Sequence, residues 1–127
     1  MNDIGRLLVV FADADFDAAV EGISRAAFSN CGQVCLGTER VYVERSIFQR
    51  FVHALSKRAE TLQPGSPHAA TTGIGPLISQ EHRRKVLSYY ERARAEGAAV
   101  VTGGGIPEMP PELREGCWIQ PTIWTGL

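Results

Sequence analysis

The stretch Leu7-Leu-Val-Val-Phe11-Ala-Asp13-Ala-Asp15-Phe-Asp17-Ala-Ala-Val20-Glu-Gly-Ile23 decides the fold class. Leu7 to Phe11 is a continuous apolar run with two valines and no alternation, which suits a strand covered on both faces of a parallel sheet. Asp13, Asp15 and Asp17 then end the strand and offer N-caps for a helix. Phe16, Ala19, Val20, Ile23 and Ala27 recur at helical spacing, so one face of residues 16–29 is expected to be buried. Asn30-Cys31-Gly32 closes that helix, because Asn and Gly tolerate the left-handed conformation of a C-cap. A strand followed at once by an amphipathic helix is the repeating unit of α/β domains.

The alternation continues outward. Arg40-Val-Tyr-Val-Glu44 alternates as a strand. Ser46 and Gln49 read as a capping box for a helix whose inner face is Phe48, Phe51, Val52, Leu55 and Ala59. His53 lies near that stripe and reads as structural. Gln63 to Gly75, rich in Pro, Gly, Ser and Thr, is a loop, and it holds His68. Ser79 is a second N-cap, for a helix running to about Glu96 with Gly97 as its stop. Ala98 to Thr102 is a further strand, and a Pro-rich loop leads on to Gly116. Trp118 to Trp124 reads as the last strand, with Pro121 confining it to an edge or a bulge. The expected architecture is α/β, a mostly parallel sheet flanked by helices.

Length and composition narrow the function. A chain of 127 residues allows one domain, and an enzyme binding both a nucleotide cofactor and a substrate is usually longer. Thirteen basic against fourteen acidic residues give a net charge of −1, so nothing favours nucleic acid or an anionic membrane as partner. Three cysteines are too few for a disulfide scaffold and suit a reduced, cytoplasmic chain. The longest apolar run, Leu7 to Ala12, falls far short of the ~20 residues that span a bilayer.

Most motif candidates dissolve on inspection. Asp13, Asp15 and Asp17 have the spacing that opens a calcium loop, but Ala18 and Ser24 stand where Gly and Glu are needed, so no metal site is assigned. Gly73-Ile-Gly75 and Gly103 to Gly105 do not continue as phosphate loops and read as turns. Gly-x-Ser-x-Gly is absent, which removes the basis for a serine hydrolase. Cys31 and Cys35, with Cys117 distant, do not make a zinc pattern. Cys35, however, sits in an irregular stretch between a helix end and a strand, where backbone amides can converge on a reacting atom. It reads either as a nucleophile or as a small buried hydrophobe; Cys31 and Cys117 read as structural. A Cys35–His68 hydrolytic dyad is a further alternative.

Phe28, Asn30, Gly32, Gln33 and Cys35, followed by Arg40, resemble the catalytic-cysteine signature of the aldehyde dehydrogenase superfamily. Phe11 to Val20, Gly75-Pro76-Leu77-Ile78, Glu96-Gly97-Ala98 and Pro121-Thr122 resemble successive segments of the same family. The resemblance runs from about Leu8 to the C-terminus. Cys31 to Arg40 and Gly75 to His82 are most similar to a subgroup acting on semialdehydes released by aromatic-ring cleavage, with betaine-aldehyde enzymes as the runner-up.

The resemblance implies oxidation of a small aldehyde to its acid with NAD, NADP remaining open. Cys35 would be the nucleophile, with Asn30, Gly32 and Gln33 supporting its loop and the oxyanion. Arg40 would orient that loop. His82 and Lys85 fall where family members place polar side chains near the cofactor ribose; the alternative is a solvated basic face shared with Arg83 and Arg84. By the same resemblance, residues 1–127 are a fragment of the cysteine-bearing catalytic domain, with Met1 an internal or misassigned start. The general-base Glu, a second oxyanion donor and the NAD-binding domain would lie on other segments, since Met1 to Arg6 do not match the family's Glu-Leu-Gly-Gly-Lys. The whole enzyme would be a homo-oligomer, and this chain alone inactive. A non-catalytic, truncated gene product is the alternative outside enzymes.

Overall fold

The computed structural model describes residues 7–126, so the reading of Met1 to Arg6 lies outside the described residues. The chain forms two compact units, Met1–Arg58 and Ala59–Leu127. In the first, β1 (Leu7–Val10) leads to α1 (Phe16–Phe28), a single turn at Ser29–Gly32, β2 (Arg40–Val43) and α2 (Phe48–Glu60), which runs past the boundary. β1 and β2 pair in parallel with Leu7 opposite Arg40 and Val10 opposite Val43, so α1 is the crossover of a βαβ unit. Asp15 caps α1, its carboxylate accepting the Ala18 N–H at 3.0 Å.

The core of this unit is Val10, Ile23, Phe51 and Leu55, all buried. Phe16 meets Phe51 edge to face at 5.7 Å, and the Arg50 guanidinium covers the Phe16 ring at 3.9 Å. The inner faces of both helices fall where helical spacing puts them. His53 is a correction: it is exposed, because it lies off the stripe that carries Phe51 and Leu55. The apolar run is another. Only Val10 is buried, while Leu7, Leu8, Val9 and Phe11 stay exposed, because β1 pairs with β2 alone among the described strands.

Ser46 does not act as the expected cap. Its hydroxyl donates to Glu44 at 2.8 Å, and the other Glu44 oxygen accepts the Ala12 N–H at 2.8 Å. The helix is entered instead through turns in which Ile47 and Phe48 donate to the Glu44 and Arg45 carbonyls. Glu44 thus ties the ends of the two strands together, and the Ala12 N–H first, then Ser46, hold its carboxyl below the ordinary 4.5. A depressed folded pKa means stability that is present above the unfolded value and lost as pH falls through the folded one. The thermal midpoint of the first unit is therefore expected to drop in acid below that range, and Glu44→Gln to flatten part of the drop. Identical acid limbs for the two proteins would refute the latch.

The second unit holds α3 (Gln80–Ala95), β3 (Ala99–Thr102) and β4 (Ile123–Thr125). Ser79 caps α3 by accepting the His82 N–H at 3.0 Å, and Gly97 ends the region at a φ of 91°. The loop from Gln63 is closed on itself: Gly73 and Ile74 donate to the Gln63 carbonyl, and the Thr72 hydroxyl donates to the Ser66 carbonyl at 2.6 Å.

β3 and β4 run antiparallel with a bulge between Val100 and Thr102. The expected strand from Trp118 shrinks to Ile123–Thr125, because polar contacts replace its ladder. The Trp118 indole donates to the Leu113 carbonyl at 2.5 Å, and the Gly104 N–H donates to the Thr122 hydroxyl at 2.9 Å. Tyr90 packs edge to face on Trp124 at 5.6 Å, and burial pushes its hydroxyl pKa up despite the Thr122 hydrogen bond. Among the described residues, no helix is long and apolar enough to cross a membrane.

Candidate active site

The cysteine loop is built from the end of α1. Asn30, Cys31 and Gly32 take φ values of 50°, 60° and 74°, so three successive residues are left-handed. Asn and Gly visit this region at little cost, whereas a β-carbon such as that of Cys31 costs roughly 1–2 kcal/mol there. The turn is held by a reciprocal clasp. The Asn30 carbonyl accepts from the Gln33 N–H at 3.0 Å and from its side-chain amide at 3.3 Å; the Asn30 amide donates to the Gln33 carbonyl at 3.4 Å.

Cys35 then occupies the first corner of a β-turn closed by the Gly37 N–H on the Val34 carbonyl at 2.8 Å. The turn is tight at Gly37, where a Cβ would stand 3.0 Å from the Val34 oxygen. The next residue, Thr38, donates to the Ala26 carbonyl at 3.1 Å and so returns the loop to α1. The Cys35 thiol is exposed at the end of this frame, and Cys31 is half-buried. Backbone strain of this kind persists where surrounding contacts over-determine it, and it gathers at functional sites.

Asn30, Gly32, Gln33 and Cys35 are thus brought into one loop, as the sequence indicates. Arg40 is exposed at the start of β2, opposite Leu7. Nothing in the sequence marks the left-handed Cys31, the Thr38 anchor or the buried Ser24 of α1. The chain matches the profile of the aldehyde dehydrogenase family over residues 6–127. It belongs to that family.

Within the aldehyde dehydrogenases, the 2-hydroxymuconic semialdehyde dehydrogenase of Pseudomonas sp. (strain CF600) is 62% identical over 94% of this chain and 24% of its own length. A 2-aminomuconic 6-semialdehyde dehydrogenase from Pseudomonas sp is 53% identical over the same shares. Betaine aldehyde dehydrogenase from Staphylococcus aureus, solved in complex with NAD+, superposes with a TM-score of 0.92 at 37% identity. It is matched over 96% of this chain and 24% of that one. The chain therefore has the α/β fold of the matching part of an aldehyde dehydrogenase and spans about a quarter of the length of these relatives.

The residues considered for the cofactor lie in the second unit. His82 and Lys85 are three apart on the first turns of α3, His82 half-buried and Lys85 exposed. The solvated face considered as their alternative is corrected at Arg83. Its guanidinium donates to the Gly116 carbonyl at 3.0 Å, and its Nε is buried without a hydrogen-bond partner. With Gln80 on the Glu115 carbonyl at 3.1 Å and Leu77 on that of Cys117 at 2.9 Å, it fastens residues 115–117 beside the helix start. His68 is exposed in its closed loop. Among the described residues, no cluster of three or more His, Cys, Asp or Glu side chains could hold a metal ion.

Proposed function

We propose that residues 1–127 are part of the catalytic domain of an NAD-dependent semialdehyde dehydrogenase, with Cys35 as nucleophile and 2-hydroxymuconate semialdehyde as substrate. The observation that carries this reading is the exposed Cys35 thiol on a turn fixed from both sides. The substrate rests on the 62% identity to the Pseudomonas enzyme of that name.

The Cys35 thiolate attacks the aldehyde carbon and forms a C–S bond, giving a thiohemiacetal. Its oxygen is stabilised by backbone donors, of which the Cys35 amide is one, held by the Asn30–Gln33 clasp. Departure of hydride from the former aldehyde carbon leaves a thioester on Cys35, which water cleaves to release the acid and regenerate the thiol. NAD, when bound, supplies the hydride acceptor. His82 and Lys85 suit its ribose hydroxyls, since an imidazole and an ammonium one turn apart provide a donor-acceptor and a donor on one helix face. The general base belongs to other segments of the whole enzyme, so the isolated chain is inactive in turnover.

Thiol labelling tests the nucleophile on this chain directly. With iodoacetamide and peptide mapping, Cys35 is expected to alkylate faster than the half-buried Cys31 and Cys117. A semialdehyde should slow Cys35 alone, by occupying its sulfur. Equal protection of all three thiols, or of none, would sink the assignment.

A further inference from the structure

We propose, resting on the assignment of His82 and Lys85 to the cofactor ribose, that Arg83 is a positioning residue: it fixes the rotation of the first turn of α3 and so aims that pair. Three successive carbonyls make the anchor. Those of Glu115, Gly116 and Cys117 accept, in turn, the Gln80 side-chain amide at 3.1 Å, the Arg83 guanidinium at 3.0 Å and the Leu77 N–H at 2.9 Å. The receiving side is fixed by contacts of its own. The Trp118 indole, in a residue only 3% exposed, donates to the Leu113 carbonyl and lies where a Cβ on Gly116 would stand.

Helical geometry turns that anchor into an aim. At about 100° per residue, Gln80 and Arg83 project to one side of α3, and His82 and Lys85 to a side about 160° away. The pair held to residues 115–117 and the pair offered to the cofactor thus stand back to back on one turn. Val86, Leu87 and Tyr90, half-buried further along α3, lie on the Arg83 side, so that side of the helix faces the body of the unit. An arginine serving only solubility would stay in water. Arg83 instead buries its Nε without a hydrogen-bond partner, and a buried donor left unpaired calls for a reason. An apolar side chain would fill this place without that cost, but it could neither bond the Gly116 carbonyl nor set the rotation of the turn. A binding pair gains affinity when its supporting contacts hold it in the bound geometry beforehand.

The test uses a whole enzyme, the Pseudomonas 2-hydroxymuconic semialdehyde dehydrogenase with its matching 119 residues replaced by those of this chain. NADH binding is read from dihydronicotinamide fluorescence, apart from turnover. Arg83→Leu, which keeps bulk and removes every donor, should weaken NADH about tenfold, the worth of one charge-assisted hydrogen bond. The same factor should appear in KM for NAD, with kcat at saturating cofactor falling far less. Arg83→Lys, which keeps one donor for the Gly116 carbonyl, should recover part of the affinity. Gln80→Ala, at an exposed anchor, should weaken NADH roughly two- to threefold. If Arg83→Leu fails to fold, unchanged affinity in Gln80→Ala overturns the proposal. In a protein already carrying His82→Ala and Lys85→Ala, Arg83→Leu should add nothing, because a residue acting through that pair has nothing left to aim. A full further loss there would place its action elsewhere and overturn the role. So would an Arg83→Leu protein that loses kcat or folded fraction at unchanged NADH affinity, and the ribose assignment would survive if His82→Ala with Lys85→Ala still weakens NADH. Unaltered affinity in that double variant would sink the ribose assignment, and the aim with it.

Discussion

Loss of about four orders of magnitude in kcat is the expected result of Cys35→Ala in an enzyme that carries this segment. The experiment replaces the matching 119 residues of the Pseudomonas 2-hydroxymuconic semialdehyde dehydrogenase with those of this chain, keeping the other three quarters of that enzyme. At 62% identity the exchange is conservative enough to expect a folded chimera that reduces NAD with 2-hydroxymuconate semialdehyde. Removing the sulfur removes the atom to which the substrate carbon bonds, so no hydride-donating intermediate forms. Four orders correspond to about 5.4 kcal/mol of barrier. Binding of NADH, read from its dihydronicotinamide fluorescence, should not change, because the substitution removes only the nucleophile. Cys35→Ser should be nearly as inactive, since a hydroxyl is a far weaker nucleophile at neutral pH. A chimera whose Cys35→Ala variant keeps a tenth of the activity would remove Cys35 from the reaction.

The shape of the cysteine loop and the helix caps was legible because the chemical types of their residues are informative at short range. Asn30 and Gly32 tolerate a left-handed backbone, and both are left-handed. Asp15 and Ser79 each precede an amphipathic run, and each accepts an amide three residues on. Ser46 has the same local pattern and fails, because Glu44, whose second oxygen binds an amide 32 residues away, takes its hydroxyl first. Arg83 reads as one more solvated cation until Gly116, 33 residues on, accepts its hydrogen bond. Trp118 alternates like a strand residue, yet its indole is consumed by the Leu113 carbonyl five residues back. For Ser46 and Arg83 a contact spanning more than thirty residues outcompeted a local preference, and no short window of the sequence contains it, whereas for Trp118 the competing partner is local and the alternation of the segment does not mark it. Left-handed Cys31 is a special case. Nothing about cysteine favours that backbone, so its conformation is imposed by the clasp between its neighbours.

The largest stability effect is expected at Phe51. It is 1% exposed and the largest of the fully buried side chains among the described residues, and its ring meets that of Phe16 edge to face at 5.7 Å. Truncation to Ala removes a whole aromatic ring from a fully buried site, at a cost of about 3–5 kcal/mol. Domains are stable by only about 5–15 kcal/mol, so the variant should melt far lower or fail to fold its first unit. Phe16→Ala should cost less, because Phe16 is half-buried and keeps part of its surface in water while losing the Arg50 contact. Urea denaturation followed by circular dichroism measures both, and a Phe51→Ala cost under about 1 kcal/mol would show that the core lies elsewhere. The consequence reaches the cysteine loop. The loop hangs from α1 through the Ser29–Gly32 turn and the Thr38 bond to Ala26, and α1 is seated by Phe16 and Ile23. When Phe51 is lost, the half-buried Cys31 should therefore alkylate faster, while the already exposed Cys35 changes little. That difference would separate a loosened scaffold from a direct effect on the nucleophile.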